Sequence, residues 1–149
     1  MITIVIPYQP VAWAAPRLSK HNVYDPREKD KRAIRYLVKQ QYNGSPLAGN
    51  IFLRMIFTFE IPKSTSKAKK IKMLKGDIIP TKCDCTNLQK LYEYCIKNIL
   101  FADDRNVKMI ISSKKYGESG KVEIFVFNED GKTEEECSFF IRGKSENNH

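Results

Sequence analysis

The chain has 149 residues, a length that suits one domain, or one domain with a terminal extension. Lysine and arginine together number 26 against 17 acidic residues, and the formal net charge of +9 favours a polyanionic partner such as nucleic acid. Apolar residues make up 42% of the chain, which is typical of a globular protein and argues against wholesale disorder. No apolar run approaches the ~20 residues of a membrane-spanning helix, so we expect a cytoplasmic protein with no membrane partner.

The first half of the sequence predicts two strands and one helix. Isoleucines alternate with other residues over 2–6 until Pro7, which is the pattern of a short strand. After a loop-like stretch, Asp25 is a suitable N-cap for a helix that Gly44 can end. The clearest alternation of apolar and polar residues covers 51–60 and predicts a second strand.

The second half predicts a short basic helix, a longer helix and a hairpin. The short helix is expected near 68–74, within a lysine-rich segment. Apolar residues then recur at helical spacing over 88–99, with Thr86 as the expected N-cap. Two further strands, 107–115 and 121–127, are expected to pair as a hairpin through a glycine-containing turn.

Together these elements predict an α+β domain over 1–128, with a mainly antiparallel sheet packed against two main helices. From residue 129 the chain turns acidic and later polar, and we interpret 129–149 as an appendage to that domain. No internal repeat is visible in the sequence, so the prediction is of one core domain.

Acidic residues are few in the basic part of the chain, and three of them flank the longer predicted helix. Asp84 lies just before that helix, and Asp103 and Asp104 lie just after it. If the next strand runs beside the segment that holds Asp84, these carboxylates converge and suit a hard cation such as Mg²⁺. Lys90, one turn into the helix, is then expected to face the same point. The alternative is that the aspartates are solvated loop residues and Lys90 is an exposed helix lysine.

Four stretches of the sequence follow the motif order of a known family. These stretches are Pro10–Arg17, Tyr24–Pro26, Pro62–Lys69, and Asp84–Lys90 followed by a helix and Phe101–Asp104. The last stretch resembles the RusA family of Holliday junction resolvases, whose pattern is an Asp-x-Asp-Asn-Leu-x-Lys run, a helix and an Asp-Asp pair. The other three look like the N-terminal motif and basic loop of the family's phage and Gram-positive branch. The resemblance covers roughly residues 2–127 and leaves the acidic tail outside.

The resemblance implies a small α+β protomer that forms a homodimer and cuts four-way DNA junctions with Mg²⁺ or Mn²⁺. Position by position, it implies that Asp84 and Asp104 are catalytic metal ligands, with Asp103 beside them. Lys90 matches the family's active-site lysine, which would steady the attacking water or the charged transition state. Asn87 matches a motif position that orders the turn.

A lysine-rich segment between the second strand and the longer helix is a candidate track for DNA phosphates. The neighbouring carboxylates favour this interpretation, because a nuclease needs both an anion-binding surface and a metal site. The alternative is an ordinary solvated loop. The residues expected to bind nucleic acid are Arg17, Lys63, Lys67, Lys69, Lys70 and Lys72.

One position departs seriously from the family pattern. Thr86 stands where the family has the second aspartate of its Asp-x-Asp pair. A threonine hydroxyl can cap the helix or bind a metal-bound water, but it supplies no charge, so we expect a weakened metal site. Tyr94 is a milder departure, because many members carry an aspartate at that position of the helix.

These observations predict a Mg²⁺-dependent, structure-selective endodeoxyribonuclease that resolves Holliday junctions in DNA recombination and repair. The first alternative is a catalytically weakened RusA-like protein that binds DNA junctions without cutting them, which the loss of the aspartate at Thr86 favours. A second alternative is a basic RNA-binding protein, and the sequence holds no feature that decides against it. The homodimer would draw on apolar strand faces around 52–59 for its interface.

Overall fold

The computed structural model of the protein describes residues 1–130 and 134–142. Within these residues, strands and α-helices both occur, and the predicted α+β class is confirmed. The strands are β1 (Ile2–Ile6), β2 (Arg17–Leu18), β3 (Val23–Tyr24), β4 (Ile51–Glu60), β5 (Val107–Gly117) and β6 (Lys121–Asn128). The helices are α1 (Glu28–Gln41), α2 (Lys67–Lys75), α3 (Cys85–Ile96) and α4 (Glu134–Arg142). No helix of this described part is both long and apolar enough to cross a membrane. Residues 131–133 and 143–149 of the predicted appendage lie outside it.

Four strands form one mixed sheet in the order β1-β6-β4-β5. β6 pairs antiparallel with both β1 and β4, whereas β4 and β5 run parallel. The sheet is therefore mainly antiparallel, as the sequence predicted. β2 and β3 form a separate two-stranded ribbon in the stretch that the sequence indicated as a loop.

The predicted hairpin of β5 and β6 is wrong, although both strands are present. β4 lies between them and pairs with each, because it is the most thoroughly buried strand and gains most from a central position. The connection between β5 and β6 must cross the end of β4. The distance to cross is about two strand spacings, or ~10 Å, and the three residues between the two strands can cover it. Gly117 permits this tight crossing, since a Cβ there would lie 2.5 Å from the Thr58 methyl group.

The main core lies between the sheet and one layer of helices, α1 and α3. Alternate side chains of β4 and the apolar face of α3 meet in this layer, as the sequence predicted. The Phe57 and Tyr92 rings, for example, lie 5.4 Å apart between their centroids. Other fully buried members are Ile4, Val38, Leu53, Met55, Leu88, Leu91 and Ile124.

The first turns of two helices differ from the predictions. α3 begins at Cys85 and its N-cap is Asp84, not Thr86, which instead lies exposed within the first turn. α1 begins at Glu28, so Asp25 is not its N-cap, although its carboxylate accepts a hydrogen bond of 2.9 Å from the Arg27 backbone N–H. At α3 two residues that favour caps, Asp84 and Thr86, lie close together, and the spacing of apolar residues does not choose between them. At α1 the cap position is Arg27, whose side chain makes no capping hydrogen bond, so no preferred cap residue marks the start of this helix.

The second face of the sheet is partly covered as well. Phe52 and Phe127 are buried there in edge-to-face contact, and Cys137 of α4 packs against them. Phe57 and Phe59 belong to the main core on the other face, and all three phenylalanines of β4 at positions 52, 57 and 59 are at most 7% exposed within one protomer. The expectation that this strand supplies apolar surface for a dimer is therefore wrong, because its aromatic side chains are already used in the fold.

Candidate active site around helix α3

Asp84 holds the start of α3. One carboxylate oxygen, Oδ1, accepts the Asn87 backbone N–H at 2.7 Å, and Oδ2 accepts the Asn87 side-chain amide at 3.2 Å. The carboxylate is exposed and lies at the positive end of the helix dipole, which favours its negative charge. Each oxygen keeps a free lone pair, so a carboxylate in this orientation can still ligate a cation.

β5 runs beside α3 in the opposite direction. Ser112 donates a hydrogen bond of 2.7 Å to the side chain of Gln89, and Lys114 Nζ donates one of 2.9 Å to the Cys83 carbonyl. The end of β5 therefore lies beside the start of α3. Lys114 thus brings a positive charge to the residue immediately before Asp84. The sequence did not predict this contact, because a strand pattern does not show which side chain reaches across to a neighbouring loop.

The two carboxylates after α3 have cationic partners. Asp103 accepts hydrogen bonds from the backbone N–H and the guanidinium of Arg105, which hold the pKa of Asp103 well below its usual range. Asp104 lies 3.6 Å from Lys97 Nζ, at the C-terminal end of α3. Arg105 thus neutralises one member of the predicted Asp-Asp pair, and Lys97 the other.

Helix α3 separates Asp84 from Asp104. It has 12 residues, which corresponds to about 18 Å of helix. Even with the Lys97 side chain extended about 6 Å back along the helix, the two carboxylates stay farther apart than the roughly 4 Å between ligands of one Mg²⁺ ion. Across residues 1–130 and 134–142, no group of three or more His, Cys, Asp or Glu side chains lies close enough to hold a metal.

Glu93 is a second carboxylate near Asp104, besides the adjacent Asp103. Burial raises the pKa of Glu93, and the negative charge of Asp104 raises it further, while a hydrogen bond with Gln89 and the charge of Lys97 oppose the shift. In the sequence, Glu93 lies within the predicted helix and outside the motif positions, so no pattern marks it as a site residue. Its proximity to Asp104 depends on how the loop after α3 folds back.

Lys90 lies exposed on α3, one turn after Thr86. Its ammonium group is positioned over the indole ring of Trp13, 3.6 Å from the ring centroid. Three residues of the family motif thus lie along one helix, with Asp84 at its N-cap and Thr86 and Lys90 in its first turns.

The lysine-rich segment forms α2, a helix that Ser66 caps and that Gly76 ends in the left-handed conformation. α2 packs against β5, the strand that also lies beside the start of α3. Lys70 is half-buried and pairs with Glu118 at 3.4 Å. The other predicted DNA-binding residues are exposed, namely Arg17 on β2 and Lys63, Lys67, Lys69 and Lys72 on or before α2.

The domain is basic, and its lysine-rich helix α2 and carboxylate-capped helix α3 both lie along β5. These are features of a protein that acts on nucleic acid. The chain belongs to the RusA family: the family model for Endodeoxyribonuclease RusA matches residues 7–127. No curated protein matches the chain. The family resemblance found in the sequence is confirmed, whereas its phage and Gram-positive branch stays a prediction. Membership of this family implies endodeoxyribonuclease activity.

Proposed function

We propose that this protein is a structure-selective endodeoxyribonuclease that resolves Holliday junctions, uses Mg²⁺ or Mn²⁺, and acts in cytoplasmic DNA recombination and repair. The observation that carries this proposal is the family match over residues 7–127, in which the motif positions fall on and around one helix. The net charge of +9 and the exposed lysines of α2 support a DNA partner.

The proposed metal ligands are Asp84 and Asp104, with Asp103 beside them and Thr86 contributing through a bound water. Carboxylate oxygens are the ligands that Mg²⁺ prefers, and a bound ion would polarise the scissile phosphate and favour formation of hydroxide. Asn87 fixes the orientation of the Asp84 carboxylate through its backbone and its side chain. The Lys90 ammonium would offset the negative charge that develops on the phosphate in the transition state.

We propose that these ligands come together in a homodimer. Asp84 and Asp104 lie at opposite ends of α3 in one chain. In a two-fold dimer, a contact from residue i to residue j is always repeated from j to i. Two α3 helices that lie side by side in opposite directions would therefore pair Asp84 with the partner's Asp104 at two equivalent places. Such a dimer also suits a four-way junction, which has two equivalent strands to cut.

The lysines of α2 are proposed to contact the phosphates that lead to this site. α2 and the capped start of α3 both lie along β5, so one DNA backbone can pass both. Arg17, on the β2–β3 ribbon, is proposed as a further phosphate contact. These contacts would supply the salt-dependent part of the affinity.

The experiment that tests the function is a titration of Mg²⁺ and Mn²⁺ against a labelled four-way junction and a linear duplex of matched sequence. We expect cleavage of the junction and little cleavage of the duplex. Cleavage of neither substrate at any metal concentration would contradict the proposed enzyme. Sedimentation in the same buffer should show a dimer at micromolar concentration, with or without junction DNA.

A second candidate function is a junction-binding module without nuclease activity. Thr86 favours this candidate, because it leaves the first turn of α3 without the carboxylate that the family pattern has there. Selective binding of the four-way junction without cleavage, in the same titration, would support the module over the enzyme.

A further inference from the structure

We infer that Trp13 is a positioning residue for Lys90, an inference that rests on the proposed nuclease function of the helix that carries this lysine. Lys90 Nζ lies 3.6 Å from the centroid of the Trp13 ring. Attraction between a cation and the face of an aromatic ring operates within about 6 Å of the centroid, and tryptophan gives the strongest case. The contact therefore restrains an otherwise flexible, exposed side chain.

The backbone that carries the indole is fixed at three successive residues. Val11 donates its backbone N–H to the Tyr92 hydroxyl at 3.1 Å. The Ala12 carbonyl accepts the Arg27 Nε–H at 2.9 Å, and the Trp13 N–H donates to the Asn87 carbonyl at 2.9 Å. Tyr92 and Asn87 belong to α3 and lie on either side of Lys90 in sequence, so the ring is attached to the same helix as the lysine it contacts.

An aromatic partner holds the lysine without cancelling its charge. The indole face of Trp13 carries no net charge, so its contact with the ammonium group leaves the charge of Lys90 uncompensated. Lys90 can thus be held in one orientation while its full positive charge stays available to a phosphate in the site.

The test uses the fact that the chain has a single tryptophan. Replacing it throughout by mono-, di- and trifluorinated tryptophan weakens the negative potential of the ring face stepwise and leaves its shape almost unchanged. We expect the single-turnover rate of junction cleavage to fall stepwise, by about 3- to 10-fold at full fluorination, with thermal stability and junction affinity unchanged. Equal rates across the series would overturn the inference.

Substitutions provide the matched controls. Trp13→Phe should keep a weaker aromatic contact and an intermediate rate, and Trp13→Leu should be the slowest. In a Lys90→Met background the residual cleavage should no longer respond to fluorination. Two results would show that Trp13 acts on the DNA and not through Lys90. One is a response to fluorination that persists in the Lys90→Met background. The other is a Trp13→Leu variant that loses junction affinity but cleaves bound junction at the normal rate.

A spectroscopic measurement separates this inference from the proposed function. Ring currents of the indole should shift the Lys90 side-chain methylene resonances upfield in the wild type, and Trp13→Leu should remove the shift. If the wild type cleaves no junction, the proposed function fails, yet the upfield shift would still support the contact. If the shift is absent from the wild type, the inference fails even when the junction is cleaved.

Discussion

Asp84 is proposed to have two roles that two substitutions can separate. Its carboxylate caps α3 by accepting the Asn87 N–H at 2.7 Å, and its charge is proposed to hold a metal ion. Asparagine is as good an N-cap as aspartate but carries no charge, whereas alanine provides neither property. Asp84→Asn should therefore test the charge alone, and Asp84→Ala should test the charge and the cap together.

The expected losses of stability differ enough to be measured. Removing a cap costs about 1 kcal/mol, and removing the charge at the helix N-terminus costs about 0.5 kcal/mol more. Because 1 kcal/mol corresponds to roughly 2–4 °C for a domain of this size, Asp84→Asn should lower the melting temperature by about 1–2 °C. Asp84→Ala should lower it by about 3–6 °C.

Both substitutions should abolish cleavage of a four-way junction in single-turnover assays and leave junction binding in place. Ser66→Ala is the matched control, because Ser66 caps α2 through the Lys69 N–H in a similar way and has no charge. It should reduce stability by about 1 kcal/mol and keep cleavage. Cleavage by Asp84→Asn at the wild-type rate would refute the metal role, and equal losses of stability for Asn and Ala would refute the capping role.

Three further predictions concern the DNA surface, the metal site and acid stability. Neutralising Lys67, Lys69 and Lys72 should weaken junction binding and reduce the slope of log affinity against log salt by roughly 0.9 for each lost phosphate contact; an unchanged slope would mean that α2 is only a solvated helix. Thr86→Asp should strengthen metal binding and raise the cleavage rate by ~10-fold, most clearly at low Mg²⁺; a lower rate would contradict the idea that Thr86 weakens the site. Asp25→Asn should destabilise the protein at pH 7 and lose that effect in strong acid, as measured by urea unfolding between pH 2 and pH 7.

The sign of the Asp25 prediction follows from its partners. The Asp25 carboxylate accepts hydrogen bonds from the Lys31 ammonium and from the Arg27 backbone N–H. These two contacts hold the pKa of Asp25 below its ordinary value of 3.8. A pKa lowered by folding adds stability above the unfolded-state pKa and loses it as the pH falls through the folded-state pKa. A difference between wild type and Asp25→Asn that stays constant across this range would contradict the assignment.

The sequence predicted the elements well where one strong pattern decided them. The alternation in β4 and the apolar stripe of α3 are local properties, and both elements were found where expected. The core-facing apolar residues are buried as predicted, whereas Thr58 of β4, which the alternation places among the polar positions, is buried as well. The pairing of β5 and β6 was predicted wrongly, because β4 inserts between them and no local pattern records which strand takes the centre of a sheet.

The candidate site could be predicted only in part for the same reason. The motif identified Asp84, Lys90 and Asp104 as candidates, but their spacing along the chain did not reveal that α3 holds the two aspartates apart. The contact between Trp13 and Lys90 depends on how an N-terminal loop docks on α3. Such contacts join residues distant in sequence, and composition and periodicity carry no record of them.

A mixing experiment can show whether two chains share a nuclease site that is built from opposite ends of α3. Asp84→Asn and Asp104→Asn chains, co-expressed with different tags and purified as the mixed dimer, would contain one site with both aspartates and one with neither. We expect each variant alone to be inactive and the mixed dimer to nick one strand of a labelled four-way junction. A mixed dimer as inactive as its parents, beside an active wild type, would contradict the shared site.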